Sequence, residues 1–166
     1  MAMIDWSTWA PRERAVLVFV RDGNQILLIH KKRGLGTGKV NAPGGRVEPG
    51  ETWEQAGVRE TREETGLTPS NLTERARLRF QFVDGYALDA RVFLAQGWTG
   101  ALAACDEADP FWHPESPLPW TNMWADDSLW LPPVLLGKAV DARFLFDADA
   151  MVEAWVEVRP RDASNG

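Results

Sequence analysis

A single cysteine, Cys105, stands in the 166 residues, so no internal disulfide can brace the chain and a packed core must hold it. It has no evident catalytic partners in the sequence and is expected to be a bystander. Histidine is nearly as rare, and His30 and His113, scattered and isolated, are expected to be structural. No apolar run approaches the roughly 20 residues that span a bilayer, and the opening MAMIDWSTWAPRER lacks the basic-then-apolar order of a secretory signal. The expected address is therefore the cytoplasm, with no membrane partner. A net charge of −6 without a long Lys/Arg run excludes a sequence-independent grip on a nucleic acid polymer, which needs many phosphate contacts. A small phosphorylated ligand held through a metal stays compatible with that charge. Internal repeats and low-complexity tracts are missing too, so residues 1–166 are expected to form one domain with an ordered core over 14–158, its oligomeric state open and a monomer favoured. Tryptophan is plentiful, nine copies, and most are expected to serve packing.

The pattern along the chain alternates strands and helices, which predicts an α/β fold with a mixed sheet flanked by helices. Arg14–Val20 and Gln25–His30 predict a hairpin across the Asp22-Gly23 turn, and Leu72–Val83 with Tyr86–Ala95 predict a second across Asp84-Gly85. Arg75, Arg77 and Arg79 alternate with apolar residues and mark an exposed face. Gln96–Asp109 reads as a loop, Ala108–His113 as a short strand, Trp124–Leu136 as a helix, and Ala142–Phe146 with Met151–Val158 as closing strands. The polar RPRDASNG end is expected to fray.

The densest chemistry lies in GGRVEPGETWEQAGVRETREETGL, residues 44–67. Glycines and prolines bend the chain first; Thr52 then caps a helix that runs to Thr65 and stops at Gly66. Glu60, Glu63 and Glu64 fall at i, i+3 and i+4 and share one helical face, where their charges repel. A hard divalent cation relieves that repulsion, takes oxygen ligands and bridges carboxylates to phosphate. Upstream, KKRGLGTGKVN is a basic glycine-rich loop whose position beside a phosphate-type site singles out Lys31 or Lys39, with the side-chain positions left to decide between them.

The spacing Gly45, Glu51, Arg59-Glu60, Glu63-Glu64, Gly66-Leu67 resembles the Nudix box. Thr61 departs from it, standing where the family has an aliphatic residue that packs the underside of the helix. The resemblance implies a Nudix α/β/α sandwich and hydrolysis of a diphosphate linkage by water, with Mg2+ as cofactor and Mn2+ as the alternative. It implies Glu60, Glu63 and Glu64 as metal ligands or base, Glu51 and Arg59 as supports, and the Gly44 carbonyl as a further ligand. Spacing alone leaves the base open between Glu64, the first choice, and Glu60.

WADDSLW, PLPWTNM, KKRGLGTGKVN and the ACDE loop are similar to the oxidised-purine nucleoside triphosphatase branch of that family over 14–158. That similarity implies that Asn41, Asp126 and Asp127 recognise the base, Trp124 stacks on it, and Trp130 and Lys31 line the pocket. It makes Glu107 another metal ligand. Two adjacent carboxylates in a dry pocket resist double ionisation, and a protonated acid beside an ionised one offers a donor and an acceptor to 8-oxoguanine or 2-hydroxyadenine. A purely structural reading places both aspartates in a helix's first turn, favoured by the dipole. Val16 and Leu35 replace a threonine and an aromatic residue implied for the base pocket. The partner is thus a small nucleotide. Alternatives are a Nudix hydrolase of dinucleoside polyphosphates or methylated purine triphosphates, and a nucleotide sensor without turnover.

Overall fold

The computed structural model describes residues 4–160. Its strands are β1 (Glu13–Asp22), β2 (Gln25–Lys31), β3 (Val40–Asn41), β4 (Gly44–Arg46), β5 (Leu67–Phe82), β6 (Ala87–Gly100), β7 (Ala108–Pro114), β8 (Ala139–Asp147) and β9 (Ala150–Arg159). Helix α1 (Trp53–Thr65) follows β4, and α2 (Asp127–Leu135) follows β7. The strands join in one mixed sheet ordered β3-β2-β1-β6-β5-β8-β9, with β4 on β1 and β7 on β2. β1 runs parallel to β6 and β5 parallel to β8, while the hairpins between them are antiparallel.

Both predicted hairpins form, as does the closing pair β8–β9. Gln96–Gly100, expected in a loop, instead continues β6, because the chain leaves α1 at Gly66 straight into Leu67–Ser70 and supplies an edge for it to pair with. α2 begins at Asp127 and not at Trp124; a short 3-10 turn at Trp120–Asn122 precedes it. The expected fraying of the C-terminal tail concerns 161–166, which lie outside the described residues, whereas Arg159 ends β9.

α1 is set by its ends. The Thr52 hydroxyl accepts from the Gln55 N–H while the Gln55 side chain accepts from the Thr52 N–H, and Gly66 closes the helix at φ 82°. The helix also rides close to the sheet. A Cβ on Gly57 would stand 2.9 Å from Val18 Cγ2, so glycine permits that approach.

Strand alternation splits the interior in two. Val16, Val18 and Val20 of β1 pack with Ala56 of α1, and Phe19 packs on the other side with Trp130, Leu131 and Val134 of α2. The two helices therefore cover opposite faces of one sheet, and β1 is buried from both sides. This is the expected α/β/α sandwich.

Thr61 lies fully buried beneath α1, and its hydroxyl finds no hydrogen-bond partner among the described residues. An unpaired buried hydroxyl costs stability that an isosteric methyl does not. Thr61→Val is expected to stabilise the protein by about 1 kcal/mol in chemical denaturation.

Candidate active site

The bend before α1 brings main chain, not side chains, up to the carboxylates. Gly44 and Gly45 pair with Leu17 and Val16 of β1. A Cβ on Gly44 would lie 2.0 Å from the Val16 carbonyl oxygen, and one on Gly45 would lie 2.4 Å from the Glu60 carboxyl carbon. Nothing larger than hydrogen fits at Gly44, where the obstacle is backbone, and a side chain at Gly45 would displace the Glu60 carboxylate.

Glu64 is buried and accepts a hydrogen bond from the Gly44 N–H at 2.8 Å. Burial drives its pKa up to about 7, opposed by that bond and by the charge of Lys31, and assisted by Glu60 and Glu107. Glu60 is also raised by burial, against the hydrogen bond it accepts from Arg59 Nη1 at 2.7 Å. Arg59 grips Glu51 through Nε at 2.7 Å and Nη2 at 2.9 Å and donates to the Arg46 carbonyl at 3.0 Å. This fork holds Glu51 down at about 2, chiefly through the hydrogen bonds themselves. Arg59 thereby ties the loop to the helix behind the carboxylates.

One cleft of about 930 Å³ is lined by Lys31, Leu35, Asn41, Gly44, Gly45, Glu60, Glu64, Glu107, Trp124, Asp126, Asp127 and Trp130. The structure thus brings both ends of the expected site together across more than eighty residues of chain. Three expected residues stay outside that lining. Glu51 and Arg59 form the frame just described, and Glu63, 56% exposed on its side chain, touches Arg59 Nη1 at 3.3 Å. Glu107 is paired at 3.2 Å with Arg33. Among the described residues no three His, Cys, Asp or Glu side chains are gathered as a ready metal cage; Glu60 is drawn to Arg59 and Glu64 to Gly44.

At the far end of the cleft, Asp126 and Asp127 are each only 2% exposed. Asp126 precedes α2 yet caps nothing; its Oδ2 accepts from Trp130 Nε1 at 2.7 Å. Asp127 Oδ2 has no partner among the described residues. Helix capping therefore does not account for Asp126, and the dipole does not account for an orphaned buried oxygen on Asp127. Burial pushes Asp126 up to about 6 and Asp127 well above the ordinary carboxylate range, the latter also through its neighbour's charge. Asn41 Oδ1 accepts from the Ala42 N–H at 2.8 Å.

The side walls hold what the sequence did not reveal. Val16 borders the cleft, but its side chain packs under α1 beside Gly57, so the substitution at this position acts on helix packing; Ala15 and Leu17, one residue to either side, border the cleft from the opposite face of β1. Phe80, Phe82, Leu88 and Tyr86 add an apolar wall, and the Tyr86 hydroxyl donates to Glu13 at 2.6 Å. The alternation of Phe80 and Phe82 along β5 was the available signal for two of them.

The NUDIX domain model matches residues 11–132. The chain belongs to the Nudix family. This Nudix hydrolase is 41% identical over 139 residues to the oxidized purine nucleoside triphosphate hydrolase of Danio rerio, across 82% of this chain and 89% of that protein. It is 36% identical over 138 residues to the Mus musculus protein of the same name, across 82% and 88% of the two chains. Its backbone is similar to the mutator MutT protein of Bacillus halodurans, with a TM-score of 0.79, 25% identity, and coverage of 87% and 97%. Nudix hydrolases generally use a divalent metal. The donor set here fits one: Glu60, Glu64 and Glu107 put carboxylate oxygens on one cleft, and the charge of Glu107 adds to the burial that raises Glu60 and Glu64, a repulsion a dication would relieve. No helix of the described residues is long and apolar enough to cross a membrane.

Because burial raises Asp126, Asp127 and Glu64 above their unfolded values, the folded protein keeps protons that the unfolded chain has released. Stability is therefore expected to fall as pH rises from about 4 through about 7. In thermal melts across that range without metal, Asp127→Asn is expected to leave the melting temperature little changed near pH 4 and to raise it near pH 8.

Proposed function

We propose that this Nudix hydrolase cleaves oxidised purine (deoxy)nucleoside triphosphates, such as 8-oxo-dGTP or 2-hydroxy-dATP, to the monophosphate and pyrophosphate, using Mg2+, and so sanitises the nucleotide pool of the cytoplasm. The observation that carries this reading is the buried Asp126–Asp127 pair in the same cleft as Glu64. A metal-phosphate end alone serves many diphosphates. Two adjacent acids of raised proton affinity, one with an unpaired oxygen, supply a donor and an acceptor for the edge of a modified purine. The Danio rerio and Mus musculus relatives, named for oxidized purine nucleoside triphosphates, support the same substrate class.

In the mechanism, Glu60, Glu63, Glu64, Glu107 and the Gly44 carbonyl are the candidate ligands. A cation held by these groups would lower the pKa of water and offset charge on the transferring phosphorus. Glu64 is the general base, its buried carboxylate accepting a proton from the attacking water and releasing it to solvent. The Gly44 N–H holds the receiving carboxylate in place, and Arg59, anchored on Glu51, steers Glu60. Lys31 brings positive charge to the phosphate end. Trp124 stacks on the base, Trp130 orients Asp126, and Asn41 and Leu35 complete the rim. Every group named lies on one chain, so a monomer suffices.

The reading is tested by pyrophosphate release over a panel of 8-oxo-dGTP, 2-hydroxy-dATP, O6-methyl-dGTP, dGTP, a pyrimidine triphosphate and a dinucleoside tetraphosphate. The oxidised purines are expected to lead in kcat/KM; preference for the dinucleotide would replace the reading. Asp126→Asn is expected to cost oxidised purines about tenfold more than pyrimidines, since a bidentate base contact discriminates by roughly 1–3 kcal/mol. Glu64→Gln is expected to lower kcat by at least about 100-fold with binding retained, and excess chelator is expected to abolish turnover. Hydrolysis persisting in chelator rejects the metal mechanism.

A further inference from the structure

The basic loop between β2 and β3 is bounded by two lysines whose roles the sequence left open, Lys31 at the end of β2 and Lys39 before β3, and the fold sends them to opposite ends of the cleft. The loop is a pair of turns stitched to Lys31, whose N–H donates to the Lys39 carbonyl at 3.0 Å and whose carbonyl accepts from Gly38 at 2.8 Å. Gly34, Gly36 and Gly38 all take positive φ. Lys31 acts electrostatically on Glu64. Lys39 turns away from the carboxylates. Its Nζ lies over the Trp124 ring, 5.1 Å from the centroid, and 3.5 Å from Asp149 Oδ2 in the β8–β9 turn. The loop main chain meets the same ring, since a Cβ on Gly36 would stand 2.9 Å from Trp124 Nε1. Phe82 and Phe146 abut Trp124 edge to face at 6.3 and 5.5 Å.

We propose that Lys39, braced by Asp149, is a positioning residue that fixes Trp124 as the stacking platform for the purine. This rests on the reading of Trp124 as the base-stacking residue. The aromatic pair packs against the ring and restrains it, while the cation covers one face, and in the proposal the nucleobase takes the other. Leu35, 51% exposed, provides an aliphatic rim in place of the aromatic that the family resemblance implies, so the orientation of Trp124 carries more of the stacking. With its side chain 27% exposed, Lys39 is sheltered enough for the contact to hold. The Asp149 pair, open to solvent, serves chiefly to aim the ammonium.

The test uses the full chain. Lys39→Met keeps the stem and removes the charge, and is expected to raise KM for purine triphosphates about three- to tenfold with kcat within about twofold. Lys39→Arg is expected to restore KM, Asp149→Asn to give a smaller rise, and a pyrimidine triphosphate to be affected less. In the Trp124→Leu background, Lys39→Met is expected to add nothing, the signature of a shared contact. An equal KM rise for purines and pyrimidines, a loss in kcat alone, a lowered KM, or additive effects in the double variant would each overturn the proposal. In protein labelled with 5-fluorotryptophan, the Trp124 resonance, identified by its loss in Trp124→Leu, is expected to shift and broaden in Lys39→Met before any nucleotide is added; an unchanged resonance overturns the proposal. That readout separates the two readings. Should the panel select another purine nucleotide, the substrate assignment falls while the Lys39–Trp124 coupling is measured on the nucleotide found.

Discussion

Because β1 is buried on both faces, the two halves of the site are placed by one strand. Its even-numbered valines carry α1 and with it Glu60 and Glu64; Phe19 carries α2 and with it Asp126 and Asp127. Neither helix needs to know of the other. A ruler of about 3.3 Å per residue and a twofold side-chain alternation set the separation between the glutamate end and the aspartate end of the cleft. The glycines opposite Val16 and Leu17 then let the main chain close in, where a side chain on Gly44 would collide with the strand and one on Gly45 would meet the Glu60 carboxylate.

The cleft is also where the molecule gives up stability. Glu60, Glu64, Asp126 and Asp127 are all shifted toward retaining protons, burial being the first cause in each, so the free protein holds carboxylates in a state less favourable than water offers them. Glu51, Glu115 and Asp89 are instead paired, by the Arg59 fork, Arg21 and Arg77. That contrast is itself a map of function, because a fold has no packing reason to strand charge in one connected space.

The catalytic helix was legible because everything that specifies it is local: a cap at Thr52, a stop at Gly66, and glutamates at helical spacing. The aspartate pair was legible only through likeness to a family, since no spacing rule links it to a box eighty residues earlier. What escaped depends on tertiary geometry. The sequence shows that β1 alternates but not which parity meets the cleft, where Val16 borders the space while its side chain packs under α1, and Ala15 and Leu17 border it too. The strand at Gln96–Gly100 could not be foreseen because its partner is created by where α1 ends. Lys31 and Lys39 looked alike until the loop's turns sent them apart.

The bond from the Gly44 N–H to Glu64 has a donor that no side-chain replacement can delete, short of proline at that position. The Glu64 carboxylate is therefore insulated from drift in the side chains around it. Ala15, Leu17, Leu35, Leu88 and Tyr86 can be exchanged to reshape what the cleft admits while the cutting edge stays registered to the sheet. Such a chain can change its diet without relearning its chemistry, with one invariant main-chain tether beneath a replaceable lining.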